Sequence, residues 1–272
     1  MKIRILGPKG TYSDIALDKY LENKNIEIER EYCPSILQTI KNIQNEEYAI
    51  LPFENTLDGF VVESLDRIIE EELQILGQVK LGIDFCFVAN SNIEDVKDCY
   101  VQFKTYGQCL DFISLHNMNY LKTDSNVQSK ELFDEANNNS SAIIPYHLLK
   151  GTNYKTQILH IADSKNNETR FFIVKKGREK MNKCEKYNAS IVIFSKEDKS
   201  GLLYTILSKF HEKNINLKSI LSRPSKKNLG KYNFFMECSL TNDELNNLTN
   251  VKSELEKMDF VVKILGIYNS LD

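Results

Sequence analysis

The chain has 272 residues, of which 42% are hydrophobic and 27% charged, with a formal net charge of −3 at pH 7. Such a chain has room for about two domains with cores of their own, and near-average apolar content speaks against wholesale disorder. Intermixed acids and bases exclude a broad nucleic-acid-binding face, and no apolar run approaches the length of a membrane span.

From the amino terminus, strand and helix patterns alternate. KIRIL (2–6) is a short strand that stops at Gly-Pro, too early for a signal peptide, and YSDIALDKYLE (12–22) repeats apolar residues at helical spacing. IEIEREY (26–32) alternates as a strand, SILQTIKNIQ (35–44) is helical and EYAILPF (47–53) is again a strand. GFVVESLDRIIEE (59–71) predicts a helix, and LQILGQVKLGIDFCFVAN (73–90) one or two long strands. DCYVQF (98–103), GQCLDFISLH (107–116), NYLKT (119–123), SNVQSKELFDEA (125–136) and SAIIPYHLLK (141–150) continue the alternation, and NNETRFFIV (166–174) closes it as a buried strand. The pattern predicts an α/β layer structure with largely parallel strands, whose ligands lie beyond the strands' carboxyl ends. This half is too long for one simple sheet. It divides into lobe 1, about residues 1–79 and 158–178, and lobe 2, about 80–157.

KKGREKMNKCEKYN (175–188) is polar and highly charged, as a linker is, and a solvated hairpin would read similarly. Residues 188–272 then follow a different rhythm: ASIVIF, SGLLYTILSKFHEK, INLKSILSRP, GKYNFFMECSL, TNDELNNLTNVKSELEKM and FVVKILGIY. That is βαββαβ, a ferredoxin-like small domain.

The six cysteines are scattered without a C-x-x-C pair, which points to reduced thiols in the cytoplasm. The four histidines lack metal-ligand spacing, and no G-x-G-x-x-G or Walker pattern occurs, so neither metal nor cofactor is expected. Three strand-to-helix junctions carry hydrogen-bonding residues suited to anions. In LGPKGTYS (6–13), Gly7 and Gly10 permit close approach and Thr11 or Ser13 can cap the helix. In LPFENTLDGF (51–60), Glu54, Asn55 and Thr56 follow a buried strand, and helix capping accounts for one of the three. In LKTDSNVQS (121–129), Thr123, Ser125 and Asn126 serve equally as a helix cap or a site. Thr169 and Arg170, at the entrance of the last strand, are ordinary polar residues of an edge strand when taken alone. With the three junctions they suggest a cleft in which Arg170 clamps a carboxylate and Thr169 supplies a hydroxyl.

GPKGTYS, PFENTLDG and NETRF, followed by a βαββαβ domain carrying SRP, resemble bacterial prephenate dehydratase with its regulatory ACT domain, in the right order over nearly the whole chain. The resemblance implies a two-lobed, periplasmic-binding-protein-like catalytic domain over residues 1–178 and an ACT domain over 188–272. It implies conversion of prephenate to phenylpyruvate without a cofactor, feedback inhibition by L-phenylalanine, and a cytoplasmic homodimer or homotetramer bound to neither nucleic acid nor membrane. Thr169 would be the key hydroxyl, Arg170 a carboxylate ligand, Phe171 packing beneath the site and Glu54 an orienting or proton-transferring group. Thr11, Asn55, Thr56, Ser125 and Asn126 would contact substrate. Gly201, Leu202, Leu203, Asn216, Ser222, Arg223 and Pro224 would bind phenylalanine. Two departures fall in lobe 2: the family's Ser-His-Pro-Gln segment reads VQFKTYGQC here, and its Ser-Thr pair is Ser125-Asn126. In the ACT segment Leu221 stands where a Glu is expected. Arogenate dehydratase and a non-catalytic aromatic amino acid sensor are the competing readings.

Overall fold

A computed structural model of the chain describes residues 1–270 apart from 23, 25, 178, 180–183, 196–198 and 225–231. The described residues form an α/β fold with three sheets. The elements run β1 (Lys2–Leu6), α1 (Tyr12–Leu21), β2 (Glu29–Cys33), α2 (Ile36–Ile40), β3 (Tyr48–Asn55), β4 (Gly59–Phe60), α3 (Val62–Glu70), β5 (Gln74–Gly82) and β6 (Phe85–Ala89). They continue through β7 (Asp98–Gln102), α4 (Phe103–Gly107), α5 (Leu110–Leu115), β8 (Asn119–Thr123), α6 (Asn126–Glu135), β9 (Ser140–Pro145), β10 (Thr156–Ile158) and β11 (Glu168–Lys175). The last six are β12 (Lys186–Ser195), α7 (Leu202–Glu212), β13 (Asn216–Pro224), β14 (Tyr232–Thr241), α8 (Leu245–Lys257) and β15 (Phe260–Asn269).

The first sheet has the order β2-β1-β3-β11-β5, with β4 beside β3, and the second β10-β6-β9-β7-β8. By contacts the chain forms two compact units. The first unit comprises Met1–Lys41, Ile50–Ser64 and Val79–Phe171, so it takes in the expected lobe 2 and most of the expected lobe 1, whose residues 42–49, 65–78 and 172–178 fall in the second unit. In the first lobe β1 alternates buried Ile3 and Ile5 with half-exposed neighbours and pairs in parallel with β2 from Lys2↔Glu29 to Leu6↔Cys33. In the second lobe β9 is buried along its whole length, as a central strand covered on both faces must be. Phe133 of α6 packs there against Cys86, Val88, Ala142 and Ile144.

Four expectations need correction. The second sheet is mixed: β7 runs parallel to β8 and β9, but β6 runs antiparallel to β9 and β10. The helix expected from Gly59 starts at Val62, because Gly59 and Phe60 first turn back to pair with Asn55 and Glu54. The helix expected over 107–116 is two short ones broken at Gln108 and Cys109. The linker expected over 175–188 loses both ends to β11 and β12, and its residues 178 and 180–183 lie outside the described ones.

The second unit comprises Asn42–Ala49, Leu65–Gln78 and Phe172–Asp272. Its four-stranded antiparallel sheet, β13-β14-β12-β15, is the predicted ferredoxin-like domain. Ile191, Ile193, Met236 and Val262 share one core with Ile206 and Phe210 of α7 and Leu248, Val251 and Leu255 of α8. Elsewhere in this unit Gly266 lies against Ile75, where a Cβ would come 2.1 Å from the Ile75 carbonyl oxygen, so only glycine fits.

Candidate active site

At the first junction the protein supplies its own anion. The Asp14 carboxylate, buried in the first turn of α1, accepts from the Gly10 amide at 2.9 Å, the Arg30 guanidinium at 2.7 Å and the Tyr32 hydroxyl at 3.0 Å. Gly10 reaches this arrangement with φ of +87°. Thr11 does not cap the helix with its side chain; its hydroxyl donates to the Leu6 carbonyl at 2.9 Å. The Asp14 carboxylate thus lies at the seat expected for an anion, and the Thr11 hydroxyl braces the turn.

At the second junction, Asn55 lies at the end of β3 and is 9% exposed. Its Oδ1 accepts from the backbone amides of Leu57 and Asp58 at 2.9 and 3.0 Å, which closes the turn into β4. Its Nδ2 faces three acceptors: Asn167 Oδ1 at 2.7 Å, Thr169 Oγ1 at 3.0 Å and the Glu168 carbonyl at 3.1 Å. Thr56 donates its hydroxyl to the Asn166 carbonyl at 2.9 Å and accepts from the Glu168 amide at 3.0 Å. Both residues, expected to bind substrate, tie the end of β3 to the start of β11. Glu54 accepts from Arg170 at 2.7 Å, and the guanidinium lies 5.2 Å from the Phe53 ring centroid. Phe171 is buried at 2% exposure.

Two network members escaped the reading of the sequence. Asn167, 3% exposed, donates from Nδ2 to Gln108 Oε1 at 3.0 Å, which joins the second lobe to this network. Asn167 stood inside the NNETRF stretch, and the signal was an amide side chain four residues before a buried run. Gln108 stood unremarked inside the VQFKTYGQC stretch (101–109).

In the second lobe Ser125 caps α6, accepting from the Gln128 amide at 3.0 Å, and Gln102 caps α4. The buried Thr105 hydroxyl donates to Asn126 Oδ1 at 2.7 Å. Thr105 lies in the segment that departs from the family pattern, and Asn126 is the other departure. The two changes are bonded to each other.

The lobes are joined near the chain crossovers. The Tyr12 hydroxyl donates to the Asp84 carbonyl at 2.8 Å, and the Ile83 amide donates to the Asn167 carbonyl at 2.8 Å. His160 pairs through Nδ1 with Asp84. Burial raises the ionisation of the Tyr12 phenol well above its usual range. His147, whose Nε2 meets the Gly10 carbonyl at 2.9 Å, has its pKa lowered by burial. Burial pushes the Cys86 and Cys99 thiols up to about 12 and raises Cys109 further. All six cysteines are free, and among the described residues no group of three or more His, Cys, Asp or Glu is placed to hold a metal ion. No helix among them is long and apolar enough to cross a membrane.

Of the residues expected to bind phenylalanine, Gly201 starts α7 with φ of +84°, followed by Leu202 and Leu203 in its first turn. Ser222, Arg223 and Pro224 end β13, and Arg223 donates to Asp66 of α3 at 3.0 Å. Because α7 follows the carboxyl end of β12, and β13 runs in the same direction, these two groups share one end of the sheet. Asn216, at the start of β13, lies roughly 26 Å from Pro224 at strand rise, so one chain does not bring it to the others.

The prephenate dehydratase family model matches residues 3–179. The chain belongs to this family. A prephenate dehydratase of Methanocaldococcus jannaschii is 32% identical over 267 residues, covering 97% of both chains. The crystal structure of the prephenate dehydratase of Staphylococcus aureus superposes with a TM-score of 0.84 at 28% identity, covering 99% of this chain and 100% of that one. That of Arthrobacter aurescens, in complex with L-Phe, has a TM-score of 0.85 at 23% identity over 99% and 90%, and shares the fold. The family's fold accords with the two-lobed domain and the ferredoxin-like domain described above.

Proposed function

We propose that this protein is a prephenate dehydratase, a carbon–oxygen lyase that converts prephenate to phenylpyruvate, carbon dioxide and water. The observation that carries the reading is the hydrogen bond from Asn55 Nδ2 to Thr169 Oγ1 at 3.0 Å. An oxygen that accepts from a fixed amide keeps its own proton to donate, and it is the better acid for that bond. The substrate's ring carboxylate departs as carbon dioxide, and the electrons of that C–C bond complete the aromatic ring. The ring hydroxyl leaves with the C–O electrons and takes up one proton, with Thr169 as its donor and solvent restoring that proton. Aromatisation supplies the driving force, so oriented donors suffice. The Glu54–Arg170 pair holds the ends of β3 and β11 in register beside this hydroxyl.

In this reading residues 1–178 form the catalytic domain and 188–272 an ACT domain that binds L-phenylalanine as feedback inhibitor, through Gly201–Leu203 and Ser222–Pro224. Residues 225–231 lie outside the described ones. Free, buried thiols support a cytoplasmic protein. A homodimer or homotetramer would let Asn216 of a second copy complete the effector site. Arogenate is the poorer substrate in this reading, because Glu54, a carboxylate suited to its amine, is already paired with Arg170.

Purified protein incubated with prephenate or arogenate, with and without phenylalanine, tests all of this at once. The expected outcome is phenylpyruvate from prephenate, suppressed by phenylalanine. Absence of turnover on either acid, with phenylalanine still bound, would make the protein a sensor.

A further inference from the structure

We infer that Asn167 is a positioning residue for the reaction: as the nearest acceptor of the Asn55 amide it sets the plane of the group that keeps Thr169 a donor. The inference rests on the prephenate dehydratase reading and extends it to a residue that touches no substrate.

The direction of these hydrogen bonds follows from the first link. The backbone amides of Leu57 and Asp58 can only donate, so the Asn55 end they meet is its oxygen. Asn55 therefore turns its NH2 toward Asn167, which must answer with Oδ1, at 2.7 Å. The Asn167 NH2 then points to Gln108, which presents Oε1 at 3.0 Å. No amide in the series can flip without setting two donors or two acceptors face to face. The Asn167 carbonyl is itself held by the Ile83 amide at 2.8 Å, so the side chain cannot drift along the backbone.

Asn167 matters to Thr169 because Asn55 is short of hydrogens. Its Nδ2 carries two, and three acceptors stand within 3.1 Å. The shortest contact, to Asn167, takes one hydrogen in line and so sets the plane of the amide. The second hydrogen then falls between Thr169 Oγ1 and the Glu168 carbonyl. Without the Asn167 acceptor the amide tilts toward Glu168, and Thr169 Oγ1 loses the donor that orients its own proton. The site is buried, with Asn167 3% and Asn55 9% exposed, so water does not replace the missing partner.

Two variants test this in the prephenate assay, each with a melting curve. Asn167→Leu removes the acceptor at similar volume; kcat should fall about 30-fold with KM within about threefold. Asn167→Asp keeps an acceptor for Asn55, and Gln108 can rotate its amide to donate; kcat should stay within about fivefold of wild type. The buried carboxylate should nevertheless lower Tm at least as much as leucine does. Activity and stability then rank the two variants in opposite orders, which a merely structural role would not produce. Should the leucine variant not fold, Asn167→Ala takes its place with the same expectation. Wild-type kcat in the acceptor-less variant, or kcat that follows Tm across the variants, overturns the inference while the proposed function stands. Wild-type protein without prephenate turnover overturns both.

Discussion

The two walls of the cleft are built on different principles. In the first lobe, the ends of β3 and β11 hold Glu54, Asn55, Thr56 and Asn167 in bonds to protein, and Thr169 receives one of them. In the second lobe, Ser125 and Gln102 cap helices, and the side-chain bonds Thr105 to Asn126 and Thr123 to Ser129 brace the wall. Strand ends in register set a hydroxyl to within a few tenths of an ångström, as a proton transfer requires. Helix starts offer backbone amides that tolerate exchange of a neighbouring side chain. In the proposed function the first lobe carries the chemistry and the second the recognition, and two of the departures from the family's pattern fall in the second.

The contrast can be broken by experiment, beginning where the effect is largest. Thr169→Ala should lower kcat on prephenate about 10³-fold or more, with an unchanged circular dichroism spectrum. Wild-type-like rates would move the chemistry away from the first lobe. Glu54→Gln and Arg170→Gln should each lower stability, and a double-mutant cycle by urea unfolding should return a coupling of about 1 kcal/mol. A coupling near zero would mean that the pair does not brace the strand ends.

Thr105→Val should raise KM about fivefold and leave kcat within about twofold, the size of one hydrogen bond used in binding. A fall in kcat with unchanged KM would place the second lobe in the chemistry as well. The smallest effect concerns His147, which bridges the lobes at the Gly10 carbonyl. Burial lowers its pKa, and the Gly10 bond and the Asp14 charge only partly oppose that. The folded state thus favours neutral imidazole. Its contribution is fully present above the unfolded value of about 6.5 and is lost as pH falls through the lower folded value. Urea unfolding between pH 8 and pH 5 should show this slope, and His147→Gln should flatten it.

Much of the cleft was legible in the sequence because local rules govern it. Gly10 with a positive φ, a buried strand ending in Glu54-Asn55-Thr56, and a polar entrance at Thr169 all follow from turn chemistry and strand pattern. The partners were not legible. Asn55 and Thr56 looked free to bind substrate, whereas their bonds reach residues more than a hundred positions away. The anion seat before α1 looked vacant, and Asp14 lies at it, bonded to Gly10 and Arg30.

The sequence alone determined the order of the elements, the residue types at each junction and the family those motifs resemble, because periodicity and turn propensity are properties of neighbours in the chain. Only the tertiary structure decided which of those polar groups remain available to a ligand. A hydrogen-bond donor serves whichever acceptor the fold brings within about 3 Å, and chain separation carries no record of that choice. Thr169 is the case in point: its identity was visible from one strand, whereas its bond from Asn55, itself bonded to Asn167 and through it linked to Gln108, was not.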